Sequence, residues 1–107
     1  MVNPYAGEVA LVLGGESCVM RLTLGALAEM EAALGADSLV ALVTRFEEGR
    51  FSSRDVLAVI VAGLRGGGWE GQPSDLLTVE IEGGPVAAAR AAAQLLARAF
   101  AMPGEAG

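Results

Sequence analysis

The residues with the most obvious potential for chemistry lie between positions 63 and 71, where the sequence reads GLRGGGWEG. Glycine-rich loops can cradle a phosphate group, because their backbone N–H groups point at the anion. A nucleotide-binding P-loop also needs a lysine that reaches the phosphates, and this chain has none. A dinucleotide-binding fingerprint follows a strand, whereas these glycines follow an apolar helical segment. We therefore interpret Gly66-Gly67-Gly68 as a helix C terminus and turn, with Arg65 near the last carbonyl groups.

Other catalytic and metal-binding patterns are missing as well. Histidine is absent, which removes the commonest general base and the commonest zinc ligand. Cys18 lies in a predicted strand with no candidate base near it in sequence, so it is interpreted as a small core residue. No calcium-binding loop occurs, although folding could still bring two carboxylates together. The sequence predicts a non-enzymatic protein with no cofactor, no metal and no catalytic residue.

Composition narrows the class of protein and of partner. The 107 residues are 53% hydrophobic and 19% charged, which is typical of one folded domain. The net charge of −6 disfavours nucleic acid and anionic membranes as partners and favours a basic or neutral protein surface. A single cysteine, no signal peptide pattern and no apolar run of membrane-spanning length predict a cytoplasmic protein.

A β-hairpin is predicted near the start of the chain. Residues 8–13 (EVALVL) and 17–23 (SCVMRLT) are rich in apolar and β-branched residues, and Gly14-Gly15 between them suits a tight turn. Apolar residues at helical spacing then predict four to five helices over 24–102, whereas 103–107 should fray. We expect one α+β domain over 1–107, a hairpin at 8–23 followed by a small helical bundle.

Capping residues mark the predicted helix boundaries. Serine, threonine and aspartate accept hydrogen bonds from the first free N–H groups of a helix, and glycine suits its end. The predicted markers are Thr23 and Gly35 for the first helix, Asp37 or Ser38 and Gly49 for the second, Ser52 or Ser53 with Asp55 for the third, Ser74 for a short helix or turn over 75–82, and Pro85 as first residue of the last.

Apolar stripes predict which helix faces are buried. The third helix (VLAVIVAGL, 56–64) is apolar all round, so it is either buried on most sides or covered on one face by a partner. The predicted core stripes are Leu24, Leu27, Met30 and Leu34 in the first helix, Leu39, Leu42, Val43 and Phe46 in the second, and Val86, Ala89, Ala93, Leu96 and Phe100 in the last, where Arg90, Gln94 and Arg98 form a polar stripe.

Two residues stand out from this pattern. Glu31 falls on the apolar side of its helix, where it either reaches solvent or an arginine such as Arg21 or Arg54, or faces a partner as a charge in an apolar groove. Trp69, on the glycine-rich loop, either folds back onto the core or anchors an interface beside Arg65. The sequence leaves both alternatives open.

The stretch LTLGALAEMEAALGADSLVALVTRFEEGRFSSRDVLAVIVAGLRGGGW, residues 22–69, resembles the small tail proteins encoded by the phage-like gene transfer agents of alphaproteobacteria. The resemblance extends from NPYAGEV at residues 3–9 to the Ala-rich last helix. That family is grouped with phage tail assembly chaperones, and its labels also describe tail tube components. The resemblance implies a role without catalysis, in which the tail tape measure protein or the tail tube protein is the partner.

The first hypothesis is therefore a tail assembly chaperone that covers apolar surface of the tape measure protein, and the alternative is a structural tail component retained in the particle. A regulatory binding module and a small enzyme are the remaining alternatives, and a second copy of the chain is a further candidate partner. The apolar third helix and the Ala-rich last helix supply apolar surface for a partner, unless they pack on each other. The candidate partner-binding residues are Glu31, Val56, Ile60, Leu64, Arg65, Trp69, Arg90 and Arg98.

Overall fold

The computed structural model describes residues 7–34 and 39–100, and these form an α+β fold, as predicted. A two-stranded antiparallel hairpin is followed by α-helices that pack on one face of it. The elements are β1 (Val9–Leu13), β2 (Glu16–Met20), α1 (Leu24–Leu34), α2 (Leu39–Glu47), α3 (Ser53–Gly66), a 3-10 helix (Pro73–Leu76) and α4 (Gly84–Ala99).

The hairpin closes through the two glycines that the sequence indicated. Gly14 and Gly15 have φ values of +58° and +83°, a conformation that matches the twist of the strands. The register pairs Leu13 with Glu16 and Val9 with Met20. β2 ends at Met20 rather than at Thr23, because Thr23 caps α1: its Oγ1 accepts a hydrogen bond from the Ala26 N–H at 3.0 Å.

Residues 79–82 extend the hairpin on the outer edge of β1. The Gly14 N–H donates to the Glu80 carbonyl at 2.7 Å, and the Glu82 N–H donates to the Val12 carbonyl at 3.0 Å. A β-bridge also joins Leu13 to Ile81. The prediction of a helix or turn over 75–82 was wrong for its second half, where apolar and acidic residues alternate with the period of a strand.

The first half of that segment is helical, but Ser74 does not cap it. The 3-10 helix begins at Pro73, and the Asp75 carboxylate accepts a hydrogen bond from the Gln72 N–H at 2.9 Å. Proline is favoured at a helix start because it has no N–H to leave unsatisfied. The helix therefore begins one residue before the predicted cap.

Helix α3 is the centre of the molecule, with α1, α4 and β2 packed around it. Ser52 caps it as predicted, in a capping box with Asp55. Close packing is possible at Gly63, where a Cβ would lie 2.7 Å from a Leu95 methyl group and 3.1 Å from Met20 Cβ. The fully buried large side chains are Met20, Met30, Leu42, Leu64, Leu95, Leu96 and Val59.

Two predicted core stripes are corrected. Each residue turns about 100° round a helix, so Leu24, which comes six residues before the buried Met30, lies about 120° from it round the axis. Leu24 is 84% exposed as a result. In α4 the buried face lies to one side of the predicted one, and Val86 and Phe100 are 66% and 40% exposed. The α4 residues that are buried are Ala88, Ala91, Ala92, Leu95 and Leu96.

Helix α2 follows the prediction where it is described. Leu42 is buried, while Leu39, Val43 and Phe46 pack against the core. Gly49 has a φ of +71° just after the helix, which suits the predicted end. The predicted Gly35, Asp37 and Ser38 boundaries, the residues 3–6 and the fraying of 103–107 lie outside the described residues.

Candidate partner-binding groove

An open groove of about 570 Å³ runs between the N-terminal halves of α3 and α4. Ile60 and Ala88 contribute to it from the two helices, Leu13 from the end of β1, and Leu76 and Leu77 from the 3-10 helix and the residue after it. Leu77 is 70% exposed, so the groove continues into apolar surface. An open apolar groove of this kind suits an apolar helix or segment of another protein.

Arg54 is the one charged side chain among the described residues that line this groove. It lies in the first turn of α3 beside the exposed Ser52 and Ser53. No ion pair joins Arg54 to another residue within 7–34 and 39–100. The groove therefore offers a partner an apolar floor and a single positive charge at one end.

A second, smaller hollow of about 230 Å³ lies between α3 and α1, and Arg54 and Leu57 line both this hollow and the groove. Its polar edge is an ion pair in which Arg65 Nη1 donates to Glu29 Oε1 at 2.7 Å. Arg65 was expected to lie near the last carbonyl groups of the helix and was a candidate for binding a partner. Arg65 does lie in the last turn of α3, and its guanidinium ties the end of α3 to the middle of α1.

The glycine-rich loop serves helix packing. A Cβ at Gly66 would overlap the carbonyl oxygen of Arg21, and one at Gly67 would overlap that of Val19, so only glycine lets α3 end against β2. The N–H groups of Gly67, Gly68 and Trp69 donate to carbonyl groups of the last turn of α3 at 2.8–3.0 Å. These donors are turned inward at the negative end of a helix dipole, which is unfavourable for phosphate.

Trp69 folds back towards the core, where its half-buried indole packs against the hydrophobic cluster. The indole lies so close to Gly71 that a Cβ at that position would overlap the ring. Of the two alternatives for Trp69, the structure has the core contact, which leaves part of the ring accessible.

The apolar candidates in α3 differ in accessibility. Val56 is half-buried and lines the groove. Ile60 also lines the groove but is only 2% exposed, and Leu64 is 1% exposed inside the core. Helices α3 and α4 pack on each other, so Leu64 is not available to a partner while the domain is folded.

The charged candidates lie on three separate surfaces. Glu31 is exposed on the outer side of α1. Arg90 is exposed on α4. Arg98 donates a hydrogen bond to the Glu8 carbonyl, which ties the end of α4 to the residue before β1. The fold therefore does not gather the predicted site residues into one site.

A buried ion pair that the sequence analysis did not foresee lies beside the groove. Asp55 is 6% exposed and accepts hydrogen bonds from Arg45 Nε at 3.1 Å and Nη2 at 3.0 Å. Burial opposes its ionisation, but the hydrogen bonds from Arg45 and Ser52 prevail, so the pKa of Asp55 lies below its ordinary value. Phe46 of α2 stacks on Phe51 of the loop before α3, with 4.7 Å between the ring centroids. Together these contacts fix the wall of the groove.

Cys18 has none of the features of a nucleophile. It is half-buried against the core, and its thiol donates to the Glu16 carbonyl at 3.6 Å. Burial, and then the negative charge of Glu16, raise the pKa of the thiol. A raised pKa leaves little of the reactive thiolate near neutral pH.

The family model described as phage tail tube protein, GTA-gp10, matches residues 6–102. The chain belongs to this family. The resemblance to gene transfer agent tail proteins is thereby confirmed. Neither the search of curated proteins nor the search of solved structures returned a significant match.

In this member of the GTA-gp10 family, no helix of the described residues is long and apolar enough to cross a membrane. The groove was missed in the sequence because its lining comes from five separate segments between Leu13 and Ala89. The apolar sequence VLAVIVAGL instead reflects the burial of α3 by α1, α4 and β2, which is the first of the two alternatives predicted for this helix.

Proposed function

We propose that this chain is a structural component of a phage-like tail, built into the tail tube region and held there by contacts with other tail proteins. The observation that carries the proposal is the match of residues 6–102 to a family described as a tail tube protein. This description favours a built-in component over the chaperone that the sequence interpretation put first. We further propose a role without catalysis, within the host cytoplasm during assembly.

The surface of the chain supports a role in binding proteins. A subunit that lies between two other tail proteins needs at least two separate contact surfaces, because each of those proteins covers a different one. The groove beside Leu77 is one apolar surface, and the outer side of α1 around Leu24 is another. Both are open in the single chain and lie on different helices, as such a role requires.

An assembly chaperone for the tape measure protein is the second candidate. The open apolar groove favours it, because an unassembled tape measure helix would need its apolar face covered. The net charge of −6 would help to keep such a complex soluble.

Mass spectrometry of purified tail-bearing particles, beside the lysate that produced them, separates the two candidates. A tail component is expected in the particles in constant proportion to the other tail proteins. If the chain is abundant in the lysate but missing from the particles, the structural role is wrong and the chaperone takes its place.

A further inference from the structure

The outer side of α1 carries an apolar stripe with one negative charge. Leu24, Ala28 and Glu31 are exposed and follow one another at steps of four and three residues, so they share one face of the helix. Leu24 is 84% exposed, an unusual position for a leucine whose neighbours Ala26 and Met30 are buried. Glu31 has no ion-pair partner within 7–34 and 39–100.

The groove between α3 and α4 has the complementary character. Its lining is apolar, and its one charged side chain among the described residues is Arg54. The stripe and the groove are therefore complementary. Both are apolar, the stripe carries one negative charge, and the groove carries one unpaired positive charge. The two surfaces are distinct, since the stripe is on the outer side of α1 and the groove lies between α3 and α4, although Arg54 also lines the hollow between α3 and α1.

The distance between the charged and the apolar residue is also similar in the stripe and in the groove. Leu24 and Glu31 are seven residues apart, which is about 10.5 Å along a helix axis, and Arg54 and Ile60 are six apart, about 9 Å. A helix α1 laid antiparallel to α3 would place Leu24 near Ile60 and Leu77 when Glu31 meets Arg54. Antiparallel neighbours also bring opposite helix-dipole ends together.

We propose that the groove receives helix α1 of a second copy of this chain, with Glu31 of one copy paired to Arg54 of the next. The interface joins two different surfaces, so each copy keeps a free stripe and a free groove, and the contact repeats head to tail into a ring or a tube. The proposal rests on the structural role in the tail, because a subunit that repeats along the tail needs a contact between successive copies.

The test compares self-association of purified full-length variants by sedimentation velocity over a concentration series at physiological ionic strength. Salt is needed because copies of charge −6 repel one another. Glu31→Arg and Arg54→Glu each put like charges at the interface, and each is expected to raise the dissociation constant about tenfold or more. Both side chains are exposed, so the variants should keep the circular dichroism and thermal midpoint of the parent.

Mixing the two single variants is the decisive step. In an alternating assembly, one interface joins the two substituted positions with their charges exchanged, and the next joins the native Glu31 of the Arg54→Glu copy to the native Arg54 of the Glu31→Arg copy. Association is therefore expected to return to the parent level. The double variant should associate by itself. If the double variant associates and the mixture does not, the two residues pair within one copy, and the proposed interface is wrong.

Glu47→Arg and Arg50→Glu are matched controls that reverse exposed charges outside the stripe and the groove. They are expected to associate like the parent. Single variants that associate as well as these controls, or a parent that stays monomeric at every concentration, would overturn the proposal. The particle composition is measured separately, so a failed interface and a failed structural role give different results.

Discussion

Arg45 and Asp55 face each other across the junction of α2 and α3, joined by two parallel hydrogen bonds of 3.1 and 3.0 Å. The same carboxylate also accepts the Ser52 N–H at 3.0 Å and so completes the cap of α3. A bidentate arginine–carboxylate contact is both strong and directional. This one group therefore sets the angle at which α3 leaves the preceding loop, and with it one wall of the groove.

Replacing Asp55 by asparagine should make the chain less stable in a pH-dependent way. Because the folded pKa of Asp55 is lowered, its ionised form stabilises the fold above the unfolded pKa of about 3.9, and this contribution is lost as the pH falls through the folded pKa. Urea unfolding should show a loss of about 2–3 kcal/mol at pH 7 for Asp55→Asn. The difference from the parent should shrink below about pH 4.

Asp75→Asn is the control for this substitution. Asp75 holds the same capping position in the 3-10 helix but is exposed, and no arginine within residues 7–34 and 39–100 forms an ion pair with it. Its replacement should change the free energy of unfolding by less than about 0.5 kcal/mol. A loss at Asp55 that stays constant down to pH 2 would show that charge is not the cause.

Two glycines of the same loop should respond very differently to alanine. Gly66→Ala places a methyl group on the Arg21 carbonyl and should lower the free energy of unfolding by about 2–3 kcal/mol, because strand and helix must move apart. Gly68→Ala meets no atom within 4 Å and carries only the strain of φ +105°, about 1 kcal/mol. Equal losses in thermal or urea unfolding would contradict the close approach of α3 to β2.

Nucleotides should leave the thermal midpoint unchanged. The N–H groups of Gly67 and Gly68 are already used by carbonyl groups of α3, and Arg65 is held by Glu29. Differential scanning fluorimetry with ATP, GTP and inorganic phosphate, each titrated with and without magnesium, checks this. A rise that depends on dose would mean that the loop opens to bind an anion.

Ile60 and Leu77 line the same groove, but a charge introduced at Ile60 should affect folding, whereas one introduced at Leu77 should affect only binding. Ile60 is 2% exposed, so Ile60→Glu buries a charge and should cost about 4 kcal/mol or more. Leu77 is 70% exposed, so Leu77→Glu should keep the thermal midpoint while weakening association in sedimentation velocity. A folded Ile60→Glu variant that only loses association would place this part of α3 on the surface.

The elements that depend on neighbouring residues were predictable from the sequence. The Gly14-Gly15 turn, the Thr23 and Ser52 caps and the start of α4 near Pro85 all follow from contacts within a few positions along the chain. Glycines at 66–68 were recognised as a helix end for the same reason. Local chemistry therefore gave the order and type of most elements.

The features that depend on distant residues were missed. The exposed position of Leu24 and the rotated buried face of α4 follow from how helices pack around α3, which periodicity alone does not fix. Ile81 pairs with Leu13 across most of the chain, and Arg45 meets Asp55 across a helix boundary. The candidate groove belongs to this second group, since it forms only where such packing leaves a gap.

The pairing of residues 80–82 with β1 has a consequence for how the chain is made. The hairpin leaves the ribosome before the segment that covers the outer edge of β1, which is synthesised about 60 residues later, after three helices. Contacts between residues so far apart form slowly. During that interval the nascent chain exposes an unpaired strand edge, which other strands can join. Rapid synthesis of many copies side by side would therefore favour mispairing, and slow synthesis or a companion protein on that edge would protect the nascent chain.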